Sequence, residues 1–146
     1  MADSEQPDMT RDLSFGELQL EGGERFQPLR RELGVSTFGL NLIRLRPRQR
    51  GRIHRHERQE EVYAVLRGTL TLEVEGEPRE LPAGSVARVA PDVRRRLSNR
   101  GDEPVAVLAV GGAVPHVGRD GVAFADWDDE VGGRPQEIPL PPDLER

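Results

Sequence analysis

From residue 37 to residue 110 the chain is cut into short apolar runs by glycine, proline and asparagine at near-even spacing. Runs at 37–45, 61–67, 69–75, 85–89 and 105–110 carry the β-branched and aromatic content of strands. None sustains a helical period for more than a turn or two. Short strands with turns between them indicate an all-β sandwich or barrel, and the absence of an internal repeat indicates one barrel. The segments on either side of Gly68 read as a hairpin, with Leu70, Leu72 and Val74 on one face. Glu75-Gly76-Glu77-Pro78 and Leu81-Pro82-Ala83-Gly84 read as the next turns.

Within this pattern His54 and His56 stand two apart, so on a strand they point to the same face. After four intervening residues, Glu61 opens the next apolar run. A short polar link, 57–60, lets the two histidines and the carboxylate meet. Two imidazoles and a carboxylate with open positions suit iron(II) or zinc, and ligand type leaves manganese and nickel open as well. The plainer reading is a solvated surface, because seven arginines lie between Arg44 and Arg58. The whole pattern, with Gly68 closing the strand, favours the metal.

His54, His56, Glu61 and Gly68 resemble the first motif of the cupin superfamily. That motif runs glycine, five residues, His-x-His, three or four residues, Glu, six residues, Gly. Position 48, where its leading glycine belongs, holds Arg48. Gly84 and Asn99 match the ends of the second motif. Ala90 and Asp92 hold its proline and glycine positions, with Pro91 between them, and Arg95 holds the position of its histidine. The resemblance covers residues 36–111. It implies a double-stranded β-helix (a jelly-roll barrel) and, as in small cupins, a homodimer. It leaves the chemistry open, because this fold serves many reactions.

Arg95 falls between Val93 and Leu97 on one face of a strand, so it is expected to point inward. A guanidinium is always protonated and cannot ligate a cation. Three outcomes follow. Arg95 pairs with Glu61 and the site holds no metal; Arg95 reaches past a bound metal to anchor a carboxylate or phosphate; or the strand slips and Arg95 extends to solvent. Tyr63 shares the face of Glu61 and is a candidate ligand-binding residue or, more weakly, a general acid. No other catalytic residue is identified. Asn41 interrupts an apolar strand and is a candidate for the lumen.

The net charge of −5 argues against nucleic acid as a partner. No apolar run is long enough for a bilayer span, and residues 1–12 lack the features of a secretory signal, so a cytoplasmic location is the default expectation. Cysteine and lysine are both absent, which removes thiol and Schiff-base chemistry. Arginines cluster from Arg44 to Arg58 and at 94–96 with Arg100, either as solvated surface or as a basic rim that steers anions to the barrel mouth. Residues 1–11 read as disordered and 12–35 as an arm or edge strands. Residues 112–146 read as a tail that packs on the barrel, with Phe124 and Trp127 as anchors or caps. His116 is read as an exposed loop residue, with a fourth metal ligand as the alternative.

Two functions remain open. One is a protein that binds a divalent metal through His54, His56 and Glu61 and a small anion near Arg95, and that oxidises or isomerises a small organic acid or sugar derivative. The other is a non-catalytic binding or sensing protein with a degenerate, metal-free site.

Overall fold

The computed structural model describes residues 12–114 and 119–145. The disorder expected for 1–11 and the roles considered for His116 lie outside the described residues.

The strands are β1 (Phe26–Gln27), β2 (Gly39–Leu45), β3 (Ile53–His56), β4 (Glu60–Arg67), β5 (Thr69–Val74), β6 (Glu77–Pro82), β7 (Val86–Val89), β8 (Arg95–Ser98), β9 (Val105–Gly112) and β10 (Gly121–Phe124). They form two five-stranded antiparallel sheets. Sheet A runs β1-β2-β9-β4-β7 and sheet B runs β10-β3-β8-β5-β6. This is the all-β barrel expected from the spacing of the strands, with the jelly-roll form that the resemblance implied. A five-residue helix, α1 (Leu29–Leu33), follows β1 and ends at Gly34 in the left-handed conformation.

Alternation builds the interior. Along β9, Val105, Val107 and Ala109 face the lumen and pack with Leu45, Val65, Leu70, Leu72 and Leu97. The intervening Ala106 packs on the outer face of sheet A with Leu42 and Leu29 of α1. That satellite explains why β2 is apolar on both faces: one side meets the lumen and the other lies under the helix.

The hairpin expected across Gly68 does not form. β4 pairs with β7 and β9 in sheet A, whereas β5 pairs with β6 and β8 in sheet B. Gly68 carries the chain from one sheet to the other. Its φ is +72°, and an added Cβ would lie 2.4 Å from the carbonyl oxygen of Pro104, so only glycine fits. A single residue between two apolar strands looks the same in sequence whether it reverses a strand or moves it between sheets. The true hairpin is β5–β6, turned at Glu75-Gly76, both at positive φ.

The two positions that depart from the glycines of the resembled motifs keep a glycine-like backbone. Arg48 has φ +70° and Asp92 φ +69°. The turn geometry is therefore retained with non-glycine residues, at some cost in local strain. Asn99 is buried; its amide donates to the carbonyls of Leu45, Arg46 and Glu103 and its oxygen accepts from Gly101 N–H, which braces the loop before β9.

Sheet B also takes in β10, from the segment that the sequence reading assigned to the tail. It pairs with β3 so that Gly121 lies opposite His56 and Ala123 opposite His54. Phe124 is buried, with the guanidiniums of Arg55 and Arg94 near its ring, and Arg96 lies 5.7 Å from the ring centre of Trp127. Beyond β10, the carbonyls of Ile138 and Pro142 accept from Arg52 and Arg50. Among the described residues, no helix is long and apolar enough to cross a membrane.

Candidate metal centre

His54 and His56 project from β3 in sheet B, and Glu61 and Tyr63 project from β4 in sheet A. The short link 57–59 lets the two strands face each other across the lumen. One ligand atom from each of His54, His56 and Glu61 lies within 4.8 Å of the others, a spacing that positions these three side chains to hold a metal. They share a cavity of about 250 Å³ with Tyr63 and Asn41.

The hydrogen bonds of the histidines decide which nitrogens are free. His56 Nδ1 lies 2.8 Å from Oδ1 of Asp120. His54 Nδ1 lies 3.2 Å from the carbonyl oxygen of Arg52. Carboxylate and carbonyl oxygens only accept, so each Nδ1 carries a proton, and in the neutral ring that leaves Nε2 with the lone pair. His56 Nε2 stands 3.7 Å from Glu61 Oε1. A metal-binding histidine generally donates its other ring N–H in this way. The donor set and its supports therefore fit a divalent ion.

Asp120 does more than orient His56. Its Oδ2 accepts the backbone N–H of Arg58 at 2.7 Å and of Gln59 at 2.9 Å. One carboxylate thus holds both the second histidine and the link to Glu61. Burial works against its charge, but these N–H groups and His56 outweigh it and keep the carboxyl below its ordinary range. Sequence reading did not find Asp120. It stands 64 residues from His56 in a glycine- and acid-rich stretch, and only the β3–β10 pairing brings the two together.

Arg95 is fully buried and does not extend to solvent. Its Nη2 donates to Glu61 Oε1 at 2.5 Å, its Nε to Tyr63 Oη at 3.1 Å and its Nη1 to the Val93 carbonyl at 3.0 Å. Tyr63 Oη donates to the same Glu61 oxygen at 2.5 Å. The inward direction expected from Val93 and Leu97 is what the structure has. All three guanidinium nitrogens are thus engaged within the protein, and the pairing with Glu61 is the first of the three expected outcomes for this side chain. Among the described residues Glu61 Oε2 makes no hydrogen bond or ion pair, which leaves one carboxylate oxygen open for a metal.

Burial favours a protonated Glu61, but Arg95 and then the two histidines prevail and hold its pKa below the usual range. Burial, reinforced by Glu61, pushes the Tyr63 phenol well above its ordinary value, so it stays protonated and hydrogen-bonded to the carboxylate. That fixed proton argues against Tyr63 as a freely exchanging acid. Burial and then Arg95 lower the pKa of His54 to about 4, which keeps the imidazole neutral near pH 7.

Several of the clustered arginines are paired toward the surface, as the surface reading expects: Arg48 with Asp102, Arg55 with Asp92 and Arg94 with Glu75, whereas Arg96 and Arg100 pair with the buried Glu73. Arg52 is an exception and lines the cavity, as does Arg25, which sequence reading had not singled out.

A profile of the Cupin_2 family (Cupin domain) matches residues 41–111. Among solved structures, a cupin protein from Bacteroides fragilis is 24% identical, with a TM-score of 0.64 over 75% of this chain and 88% of that one. A sugar phosphate isomerase from a cupin superfamily, from Silicibacter pomeroyi, is 29% identical, with a TM-score of 0.58 over 80% of this chain and 79% of that one. A Cupin 2 conserved barrel domain protein from Salinispora arenicola is 23% identical, with a TM-score of 0.59 over 69% and 89%. No curated protein matches the chain significantly.

Proposed function

Because this chain is a small protein of the cupin superfamily, with its histidines and glutamate inside the barrel, we propose that it binds a divalent metal through His54, His56 and Glu61. The observation that carries this reading is the pair of acceptors behind the histidines: Asp120 and the Arg52 carbonyl each accept a hydrogen bond from Nδ1 of a neutral imidazole, which leaves Nε2 as the ligand atom. A divalent ion held there would polarise an oxygen of a bound small molecule.

The remaining groups of the cavity bind and orient. Ile43, Leu45 and Leu97 exclude water from one side, and Asn41 offers an amide. Glu61 is kept ionised by Arg95, and Tyr63 keeps its proton. The cavity lies just below the usual volume of ligand pockets, ~300–1,000 Å³, which suits a small metabolite. Metal-assisted oxidation or isomerisation of a small organic acid or sugar derivative fits this site. The likeness to a cupin described as a sugar phosphate isomerase supports the sugar class.

The buried Arg95–Glu61 pair favours a second reading, a metal-free binding protein, because the guanidinium already balances the carboxylate. Elemental analysis of the purified protein separates the two. Stoichiometric metal in the parent, lost in His54→Ala and Glu61→Ala, is the expected result. No metal after reconstitution with iron(II), zinc, manganese and nickel would leave the metal-free reading. The homodimer suggested by other small cupins belongs to the same proposal, and light scattering on the purified protein tests it.

A further inference from the structure

Two positive charges face the cavity without a carboxylate to balance them. Arg25 lies just before β1, and Arg52 just before β3, so they approach from different sheets. Both line the cavity that contains His54, His56 and Glu61. Among the described residues neither forms an ion pair. Arg52 Nε donates to the Ile138 carbonyl at 2.7 Å, which holds the side chain in place without neutralising it. The Arg25 guanidinium lies over the ring of Phe26, 4.8 Å from its centre. Its Nη1 is buried with no hydrogen-bond partner. An unpartnered buried donor on a cation is costly, and a cation in a cavity wall gains most from an anionic ligand.

We propose that Arg25 and Arg52 form an anion subsite in this cavity, one that takes the phosphate of a small phosphate monoester. Two guanidiniums match a dianion in charge, and their forked N–H groups match its oxygens. Burial and then the nearness of Arg52 lower the pKa of Arg25, so the two cations feel one another. The arginines and the His54–His56–Glu61 group line the same cavity of about 250 Å³, so one small molecule within it can meet both. The position of Arg25 follows from backbone pairing: its carbonyl accepts Arg44 N–H at 2.6 Å, and Phe26 lies opposite Ile43.

This inference rests on the cavity as the ligand site but does not require the metal, and its test is designed accordingly. Protein stripped with a chelator is titrated calorimetrically with inorganic phosphate and, separately, with acetate. Arg25→Gln, Arg52→Gln and Arg52→Lys are compared with the parent and with Arg79→Gln, on the outer strand β6. The expected result is saturable phosphate binding in the metal-free parent, tighter than acetate. Phosphate affinity should fall about tenfold or more in Arg25→Gln and Arg52→Gln, fall less in Arg52→Lys, and stay unchanged in Arg79→Gln. Thermal melts and metal uptake of the variants, measured in parallel, identify any that fail to fold. Absence of phosphate binding, acetate binding as tightly as phosphate, or equal losses in folded Arg25→Gln and Arg79→Gln would each overturn the subsite. A chain that takes up no metal but still binds phosphate through these arginines would overturn only the metal reading.

Discussion

Arg95 on β8 and Arg25 before β1 both bring a guanidinium to the interior of the barrel, and they differ in what meets them there. Arg95 is fully enclosed and bonded to Glu61, Tyr63 and the Val93 carbonyl. Arg25 is half-buried and has a buried nitrogen with no partner. A charge whose partners lie within the protein is part of the structure. A charge whose partners are missing is available for recognition.

The largest test of this contrast is Glu61→Ala. It would leave the Arg95 guanidinium buried without its counter-charge, and should lower stability by about 3–5 kcal/mol in urea unfolding. A loss below about 1 kcal/mol would show that Arg95 is not held by this pair. Asp120→Asn comes next. It removes the negative charge behind His56 and puts an NH2 group in place of one of the two acceptor oxygens of Asp120, and should weaken metal binding about 10–100-fold in a chelator competition. Unchanged affinity would mean that His56 is oriented without it.

Arg95→His removes the interior cation and restores the histidine of the resembled motif. Metal affinity is expected to rise about tenfold by isothermal titration. A fall would show that the guanidinium helps to shape the site by holding Glu61 ionised.

The pH dependence of the metal-free protein comes from His54. Its folded pKa of about 4 lies below the ordinary 6.5, so between these values the unfolded chain takes up a proton that the folded chain refuses. Stability should therefore fall as pH drops from about 6.5 toward 4, with no further loss from this group below that. Arg95 and His56 oppose the proton and Glu61 favours it, but burial is the main cause. His54→Gln should remove a pH-dependent loss of about 3 kcal/mol over that window. The comparison is made by urea midpoints at successive pH values, and an unchanged slope would place His54 in solvent. The smallest effect is expected for Arg25→Gln, whose stability should stay within about 0.5 kcal/mol of the parent because the only protein partner among the described residues that the guanidinium loses is the half-exposed Phe26 ring.

How far the site could be read from the sequence followed the range of the contacts. His54, His56, Glu61 and the inward aim of Arg95 depend on alternation along single strands, and alternation is written locally. Gly68 could be recognised as a turn, but whether it joined paired strands or opposite sheets could not. Arg52 was visible only as one of seven clustered arginines, and six others had the same local appearance. Asp120 and Arg25 had no local signal. Each reaches the site through strand pairing, β10 with β3 in one case and β1 with β2 in the other.

The sequence by itself determined the all-β barrel, the three candidate ligands and the replacement of a motif histidine by arginine, because these follow from strand period, residue chemistry and short spacing. The tertiary structure alone decided which cations are neutralised and which nitrogens are free. Ion pairing and tautomer depend on atoms brought together from strands far apart in the chain, and at those separations only the packed fold sets the distances.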